Sequence, residues 1–305
     1  MSQNFTIVCA ADRNYFDLLK GLIDSIQDKP EGQSVPISVL DLGFTEEQRS
    51  WLDTWVAHRV EPTWDFDVPA KFKTPSHFRA LLARPYLPRY FPGYGVYHFI
   101  DADAWVQDWS AVEIYVEAAR SGKLAITPQI DRAYNTNYKR PKRLGRTQNF
   151  KSFKWSYGWK TADRLGRNPI LNAGVFALAH DAPHWSLWAE AIERALHRKT
   201  LLPRKGWPHL HFKLIEQTAI NSVVFGDKAP AALLPATCNW FCALAAPMAD
   251  TQAGLLVEPN EPFTPLGIVH LAGEDFQNHD FTLKTTTGGH ITTRLRYDDA
   301  PFQLS

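Results

Sequence analysis

The sequence predicts an α/β fold with a mainly parallel central sheet and helices on both of its faces. Three observations support this prediction. Short β-rich apolar segments alternate with amphipathic segments along most of the chain, which is typical of such sheets. Hydrophobic residues make up 45% and charged residues 21% of the 305 residues, the proportions of a globular protein. A chain of this length buries about 75% of the surface that it exposes when unfolded, so a large core needs no disulfides.

The first half of the chain supplies most of the expected sheet. The apolar residues between Tyr15 and Ile26 have helical spacing, and Thr45 with Gln48 forms a capping box that opens a second helix. A further helix is expected over 75–90. Another is expected to be capped by Ser110, with Glu113 placed for a second capping box. The predicted strands of this half lie at 5–10, 35–42, 59–64, 96–100 and 124–127.

The segment 131–168 differs from the rest of the chain, because it is rich in Arg, Lys, Tyr, Asn and Gly and nearly free of aliphatic residues. This composition predicts a solvated, mobile insertion over an active site, either a lid or a surface that binds an acceptor. With no internal repeat and no linker, we expect one domain over 1–275 and a polar extension over 276–305. The core elements expected after the insertion are strand 170–179, helices 184–197 and 212–225, and short strands at 232–235 and 267–271.

Charge and cysteine content exclude several classes of protein. Lys and Arg number 33 against 32 Asp and Glu, so we expect neither nucleic acid nor an anionic membrane as a partner. The scattered Cys9, Cys238 and Cys242 form no disulfide framework and no zinc-binding pattern. The N-terminus lacks the pattern of a signal peptide, and prolines interrupt the uncharged stretch 229–249, so no transmembrane segment is predicted. A cytoplasmic location, in solution or at the periphery of the inner membrane surface, is therefore expected.

Two carboxylates stand directly after the apolar strand 96–100. Asp101 and Asp103 lie at the carboxyl end of that strand, where ligands bind in open α/β sheets. A regular strand would direct them to opposite faces, but a turn that begins at Asp101 lets both converge on one cation. Oxygen ligands of this kind suit Mg²⁺ or Mn²⁺ together with substrate phosphates. The alternative, in which the two carboxylates only cap the following turn or helix, stays open at this point.

Several further motifs occur in a fixed order around this pair. They are IVCAADRNY (7–15), VLD (39–41), LAR (82–84) ahead of DAD (101–103), LNAGV (171–175), EQTAIN (216–221) and VHLAG (269–273). Over roughly residues 5–275 this series resembles glycosyltransferase family 8, retaining transferases that include glycogenin and bacterial lipopolysaccharide galactosyl- and glucosyltransferases. The resemblance implies the GT-A fold of nucleotide-diphospho-sugar transferases. It also implies metal-dependent transfer of a hexose from a nucleotide-diphosphate sugar, with UDP-hexose as the expected donor. The acceptor is open: a glycan, a lipid-linked sugar, a protein or a small molecule.

The resemblance also assigns roles to individual residues. Asp101, Asp103 and His270 would hold Mn²⁺ or Mg²⁺, which acts as a Lewis acid on the leaving diphosphate. Asn172 and Glu216 would contact sugar hydroxyls. The positions implied to contact the nucleotide are Ala10, Ala11, Asp12, Asn14, Arg84, Asp101, Ala102 and Gly273.

Gln217 is implied to lie beneath the anomeric carbon, among catalytic residues that also include Arg84, Asn172 and Glu216. An amide is a poor nucleophile, so retention through a covalent intermediate is not expected. The resemblance instead implies a same-face route in which the departing phosphate helps to deprotonate the acceptor. The carbonyl oxygen of Gln217 would then stabilise positive charge on the sugar.

Two departures from the family pattern bear on the donor. Family members carry a lysine three positions after the glycine that Gly273 matches, and that lysine grips the diphosphate. Here Gly273 is followed by Glu274, Asp275 and Phe276, so the lysine is missing from its expected place. Two alternatives stay open: Lys284 or a residue of the segment 131–168 substitutes for it, or the diphosphate is bound more weakly. Glu216 replaces the usual aspartate, which lengthens the side chain by one methylene.

Two other functions stay open on the sequence. The missing lysine favours a protein that binds a sugar nucleotide or carbohydrate without turning it over. A sugar-phosphate nucleotidyltransferase would share the fold class and the metal site, but no Gly-rich loop with Arg or Lys follows the first strand. Release of UDP from UDP-sugars, with and without Mn²⁺, distinguishes the three functions.

Overall fold

The computed structural model describes residues 4–68, 77–135, 148–198 and 213–297. Its centre is a seven-stranded sheet made of β1 Phe5–Ala11, β2 Ile37–Asp41, β3 His58–Val60, β4 Val96–Ile100, β6 Leu124–Pro128, β7 Leu171–Ala179 and β8 Ala231–Leu233. The strand order is β3-β2-β1-β4-β7-β6-β8. Only β7 runs antiparallel to its neighbours within this sheet. The predicted α/β class with a mainly parallel sheet is therefore confirmed.

Helices pack on both faces of this sheet. They are α1 Phe16–Gln27, α2 Glu46–Trp55, α3 His77–Ala83, α4 Leu87–Tyr90, α5 Trp109–Arg120, α6 Gln148–Tyr157, α7 Trp159–Leu165, α8 His184–Leu196, α9 Ile215–Phe225 and α10 Glu274–Asn278. Successive strand residues point to opposite faces, so Ile7 joins the core half that contains α1 and α5, and Val8 joins the half that contains α3, α8 and α9.

The sequence predicts the cap at the start of α2 correctly and the cap at the start of α5 wrongly. Thr45 and Gln48 form both hydrogen bonds of the predicted capping box at the start of α2. The capping box predicted for Ser110 is wrong, because Asp108 caps α5 and accepts a 2.9 Å bond from the Ser110 N–H. The Asp108 carboxylate lies before the helix and reaches its first turn, whereas Ser110 is already inside it.

A small second sheet joins distant parts of the chain beside the main one. β5 Ala104–Val106 pairs antiparallel with β12 Ile268–His270, and β12 pairs parallel with β9 Trp240–Phe241. His270 stands opposite Ala104 in this pairing, so the strand register places its imidazole next to Asp103. Two hairpins complete the described strands: β10 Met248–Asp250 with β11 Leu255–Val257, and β13 Phe281–Lys284 with β14 His290–Thr293.

The described residues 148–168 do not form the solvated insertion that the composition of the segment 131–168 predicts. Residues 136–147 lie outside the described ranges, but from 148 onward α6 and α7 form and bury the side chains of Phe150, Phe153, Ala162 and Leu165. Aromatic residues supply the apolar surface here, which a search for aliphatic residues overlooks. α6 packs against α8 and α9, and α9 carries Gln217.

The described residues beyond 276 pack onto the body of the fold. Leu283, Leu295 and Tyr297 share a buried cluster with Trp105, whose Nε1–H donates a 2.8 Å hydrogen bond to the Leu295 carbonyl. No helix within the described ranges has the length and apolar surface required to cross a bilayer.

Candidate active site

A cavity of about 320 Å³ opens where the adjacent parallel strands β1 and β4 end. Ligands bind at this edge of open α/β sheets, because the helices and loops that follow the strands enclose space there. Residues at the end of β1 and in the turn after β4 line the cavity. The sequence-predicted residues that line it are Ala10, Ala11, Asp12, Arg84, Asp101, Ala102 and Asp103.

Two predicted nucleotide-contacting residues do not line this cavity. Asn14 is exposed on a short 3₁₀ turn, where its N–H donates a 2.9 Å hydrogen bond to Asp12 Oδ1. The same oxygen accepts from the Tyr15 N–H at 3.3 Å, so Asp12 caps the turn as well as lining the cavity. Gly273 stands just before α10 with φ of 109°, a left-handed conformation that glycine adopts without strain.

Asp101, Asp103 and His270 come together at the edge of the cavity. One ligand atom from each lies within 4.8 Å of the other two. His270 Nε2 is 3.4 Å from Asp103 Oδ1 and 4.0 Å from Asp101 Oδ2. The turn that the sequence predicts after β4 forms, with the Ala104 N–H donating to the Asp101 carbonyl at 3.0 Å. Two carboxylates and one imidazole suit Mn²⁺, which accepts both oxygen and nitrogen ligands, and suit Mg²⁺ less well.

Asn172 and Asn239 orient the imidazole of His270, and only Asn172 of these two was predicted as a site residue. The Gly174 N–H donates to Asn172 Oδ1 at 2.9 Å, so the Asn239 amide nitrogen, 3.2 Å from the same oxygen, must also donate to it. Asn239 Oδ1 therefore faces His270 Nδ1, 3.0 Å away, and accepts its proton. This leaves His270 Nε2 directed at the two carboxylates, where it can bind a metal ion.

Asn239 and Gln277 are functional candidates that the sequence analysis did not find. Gln277 is buried in α10 and its amide nitrogen donates to Asp103 Oδ2 at 2.9 Å. Asn239 reaches the site through the pairing of β9 with β12. Neither residue stands in a motif, so only the tertiary pairing reveals it. Asn172, which was predicted to contact sugar hydroxyls, uses its oxygen inside this network and has its amide nitrogen left for a ligand.

The charges of the cluster are strongly coupled. Burial raises the pKa of Asp101, and the neighbouring Asp103 carboxylate raises it further. Burial also pushes the pKa of Asp103 upward, but His270 and the Gln277 amide outweigh it and hold that pKa below its usual value. The pKa of His270 is raised, because the carboxylate of Asp103 overcomes the opposing effect of burial. A metal ion bound here would therefore displace a proton from His270.

Arg84 is the buried link between the metal cluster and α9. Its guanidinium donates to Asp101 Oδ1 and to Glu216 Oε1, each at 2.5 Å, and to the Ala173 carbonyl at 3.0 Å. It also lies 4.4 Å above the Phe99 ring. The partners of Arg84 in this structure are therefore two carboxylates and one backbone carbonyl.

Glu216 and Gln217 both stand in the first turn of α9, and their side chains have different partners. The Gln217 Oε1 accepts a 3.2 Å hydrogen bond from the Ala173 N–H. Glu216 is buried, and its Oε2 has no hydrogen-bond partner among the described residues. Asn221 holds this helix against β7 by exchanging two hydrogen bonds with the backbone of Leu171, at 2.8 and 2.9 Å. The Gln217 side chain therefore meets β7, and the Glu216 side chain meets Arg84.

The titration of Glu216 leads to a testable dependence of stability on pH. Burial raises the pKa of Glu216 from 4.5 to about 7, and the opposing charge of Arg84 does not cancel this effect. The buried acid costs nothing below pH 4.5 and becomes progressively destabilising as the pH rises through 7. The free energy of unfolding of wild type should therefore fall relative to that of Glu216→Gln between these values. One pKa unit is worth about 1.4 kcal/mol, so the fall should approach about 3 kcal/mol.

Urea unfolding of both proteins at several pH values between 4 and 8 measures this difference. Glu190→Gln, an exposed change on α8, is the matched control and should track wild type at every pH. Parallel curves for wild type and Glu216→Gln would show that folding does not raise the pKa of Glu216.

Gly174 makes the close approach of the site residues possible. A Cβ built on it would collide with the Asp101 carboxylate and would lie 2.7 Å from His270 Cε1 and 2.9 Å from Asn172 Oδ1. We expect Gly174→Ala to displace these groups and to weaken Mn²⁺ binding roughly 10- to 100-fold, as for other changes beside metal ligands. Gly21→Ala is the control, because its Cβ meets only Tyr297 at an ordinary 3.5 Å. Calorimetric Mn²⁺ titration measures the effect, and unchanged affinity in Gly174→Ala would contradict it.

Comparison with known structures identifies the fold. The chain is similar to the galactosyltransferase LgtC in complex with donor and acceptor sugar analogues, with 14% identity, a TM-score of 0.52, and coverage of 88% of this chain and 87% of that one. An active-site mutant of LgtC matches with 16% identity, the same TM-score and the same coverage. The bifunctional glycosyltransferase WbbM matches with 16% identity and a TM-score of 0.50, over 90% of this chain and 46% of that chain.

These similarities show that the chain has the GT-A glycosyltransferase fold, as predicted. No protein-family model matches the sequence, and no curated protein matches it either. The predicted membership of family 8 therefore stays a prediction.

Proposed function

We propose that this protein is a metal-dependent glycosyltransferase that moves a hexose from a nucleotide-diphosphate sugar to an acceptor, with retention of anomeric configuration. UDP-hexose is the proposed donor. The observation that carries the proposal is the position of the Asp101, Asp103 and His270 cluster, at the edge of a cavity large enough for a nucleotide. The galactosyltransferase LgtC, whose fold this chain shares, has been solved with donor and acceptor sugar analogues.

The cavity would hold the nucleotide of the donor, and the cluster would hold the cation. Ala10, Ala11 and Asp12 line the part at the end of β1 and would hold the base and ribose. Asp101 and Asp103, with His270, would hold the cation. When bound, this cation supplies a Lewis acid for the diphosphate leaving group.

The hexose would lie over the junction of β7 and α9. Glu216 offers there a buried oxygen that has no partner within the described part of the chain and that can accept a hydrogen bond from a sugar hydroxyl. Arg84 fixes the other oxygen of this carboxylate, so the orientation of Glu216 is set before the sugar arrives. The additional methylene relative to aspartate would determine which hydroxyl it reaches.

Gln217 would act on the developing charge at the anomeric carbon. A carbonyl oxygen has two lone pairs, and the Ala173 N–H occupies one of those on Gln217 Oε1. The other remains available to stabilise positive charge on the sugar ring, and the bond to Ala173 holds the amide in place. Because an amide does not displace a leaving group readily, this arrangement supports the same-face route rather than a covalent intermediate.

The experiment that tests the proposal measures nucleotide release from UDP- and GDP-linked hexoses, with Mn²⁺, Mg²⁺ or EDTA. Metal-dependent release of UDP from at least one UDP-hexose is expected. Binding of the sugar nucleotides without release would indicate the non-catalytic alternative, which the Glu274 that follows Gly273 favours. Release of pyrophosphate from a nucleoside triphosphate and a sugar phosphate would indicate a nucleotidyltransferase.

Three further expectations belong to this proposal. A cytoplasmic location is supported by Cys9, Cys238 and Cys242, which are free, buried thiols. We propose a catalytic domain over 1–275 with an extension over 276–305, in which Gln277 supports Asp103. The acceptor is proposed to be a glycan, a lipid-linked sugar, a protein or a small molecule.

A further inference from the structure

The negative charge in the cavity calls for a positively charged side chain that the motifs of the family resemblance do not supply. Asp12, Asp101 and Asp103 line it, and a nucleotide diphosphate adds further negative charge. Arg84 also lines it, but its guanidinium already donates to Asp101, Glu216 and a backbone carbonyl. The bound metal ion alone would leave this concentration of negative charge incompletely balanced.

Within the described ranges, no expected substitute for the missing lysine lies at the cavity. The positions after Gly273 carry Glu274 and Asp275 in the first turn of α10, which adds negative rather than positive charge. Lys284 is exposed at the end of β13, opposite His290, and does not line the cavity. The described parts of the segment 131–168 contribute no lining residue either.

We propose that Lys213 binds the diphosphate of the nucleotide donor and takes the place of the absent lysine. Among the described residues that line the cavity, it is the only lysine or arginine without a hydrogen bond or an ion pair. It is exposed, and it stands two residues before α9, the helix that carries Glu216 and Gln217. This inference rests on the proposed function and adds a residue to its donor site.

Two observations support a contact between the ammonium group of Lys213 and a bound phosphate. His77 lines the same cavity, and its pKa is lowered by burial and then by the positive charge of Lys213, while Asp12 opposes the shift. Lys213 is thus within electrostatic range of the wall that holds Asp12. The N-terminus of α9 begins beside it, and the positive end of that helix dipole favours an anion at the same place.

The position of Lys213 gives it a role in the transfer as well as in binding. The bond between the anomeric carbon and the phosphate oxygen breaks, and its electron pair stays on that oxygen. The acceptor oxygen forms the new bond to the anomeric carbon, and the acceptor proton passes to the departing phosphate. Negative charge therefore grows on the diphosphate during the reaction, and a neighbouring ammonium group stabilises it.

The test compares Lys213→Met, Lys213→Arg and the control Lys284→Met, with UDP and uridine as probes in the presence of Mn²⁺. Lys213→Met should weaken UDP binding roughly 10- to 100-fold, the loss expected for a hydrogen bond to a charged group, and should leave uridine binding within twofold of wild type. Lys213→Arg should recover most of the affinity for UDP. Lys284→Met should bind both probes as wild type does. Each melting temperature is measured to confirm folding.

The outcomes separate this inference from the proposed function. If wild type binds UDP and Lys213→Met binds it equally well, Lys213 does not contact the diphosphate, although the proposed function stands. If Lys213→Met loses uridine as well as UDP, the residue shapes the cavity and does not bind phosphate. If wild type binds neither UDP nor GDP, the proposed function fails and this inference fails with it.

Discussion

Asp103→Asn should lower kcat for nucleotide release at least about 10³-fold, while the melting temperature changes by only a few degrees. Asp103 Oδ1 lies 3.4 Å from His270 Nε2, and its Oδ2 accepts from Gln277, so the side chain is held in place for a metal ion. The amide has almost the same shape, but it removes the negative charge that binds the cation. Loss of the cation removes its stabilisation of the leaving diphosphate. Each tenfold decrease in rate corresponds to a rise of about 1.4 kcal/mol in the activation free energy.

Nucleotide release and Mn²⁺ titration on the same preparation measure this effect. Asp108→Asn is the matched control, because it makes the same chemical change at an exposed cap of α5, where Asn and Asp serve equally well. EDTA should abolish the activity of wild type, and added Mn²⁺ should restore it. Wild-type activity of Asp103→Asn, or in EDTA, would remove the metal from the mechanism.

The parts of the site that the sequence predicted depend on local chain geometry. Asp101 and Asp103 directly follow the apolar strand β4, and a hydrogen bond from the Ala104 N–H to the Asp101 carbonyl closes the turn between them. The capping box of Thr45 is similarly local, because both of its hydrogen bonds join residues within one turn. Such features need no knowledge of tertiary contacts.

The parts that the sequence did not predict depend on strand pairing and on helix packing. Asn239 and Gln277 reach His270 and Asp103 only because β12 joins β5 and β9 in the small sheet and α10 follows it. Lys213 stands outside every motif of the resemblance, and its position at the cavity follows from the packing of α9 against β7. No periodicity or spacing in the sequence connects these residues.

The buried network around Arg84 explains how an acidic site persists without its ligand. Asp101 and Glu216 share one guanidinium, so each carboxylate has a partner even in the absence of a cation. Breaking such a pair by removing one member costs about 3–5 kcal/mol, because a buried charge is left uncompensated. We therefore propose that Arg84 is a positioning residue that joins the proposed metal site to the proposed sugar site.

Gln217→Ala should lower kcat about 10²- to 10³-fold and change the KM for the donor by less than about threefold. The reason lies in the geometry of Gln217 Oε1, which accepts a 3.2 Å hydrogen bond from Ala173 and keeps a lone pair for the sugar. That lone pair interacts strongly only when positive charge develops at the anomeric carbon. Glu216→Ala should raise KM as well, because its contact with a hydroxyl already exists in the ground state.

Steady-state kinetics with the acceptor identified by product analysis separate the two effects. Gln252→Ala, an exposed glutamine in a turn far along the chain, is the control and should behave as wild type. Gln217→Glu adds a carboxylate where the hydrogen bond to the Ala173 N–H is preserved, so mass spectrometry should detect a covalent glycosyl-enzyme that wild type does not form. If Gln217→Ala retains wild-type kcat, the oxygen of Gln217 does not face the anomeric carbon. Gln217 is the side chain in the first turn of α9 that is both partly exposed and bonded to Ala173. Without a catalytic role for it, the hexose would have to lie away from the junction of β7 and α9.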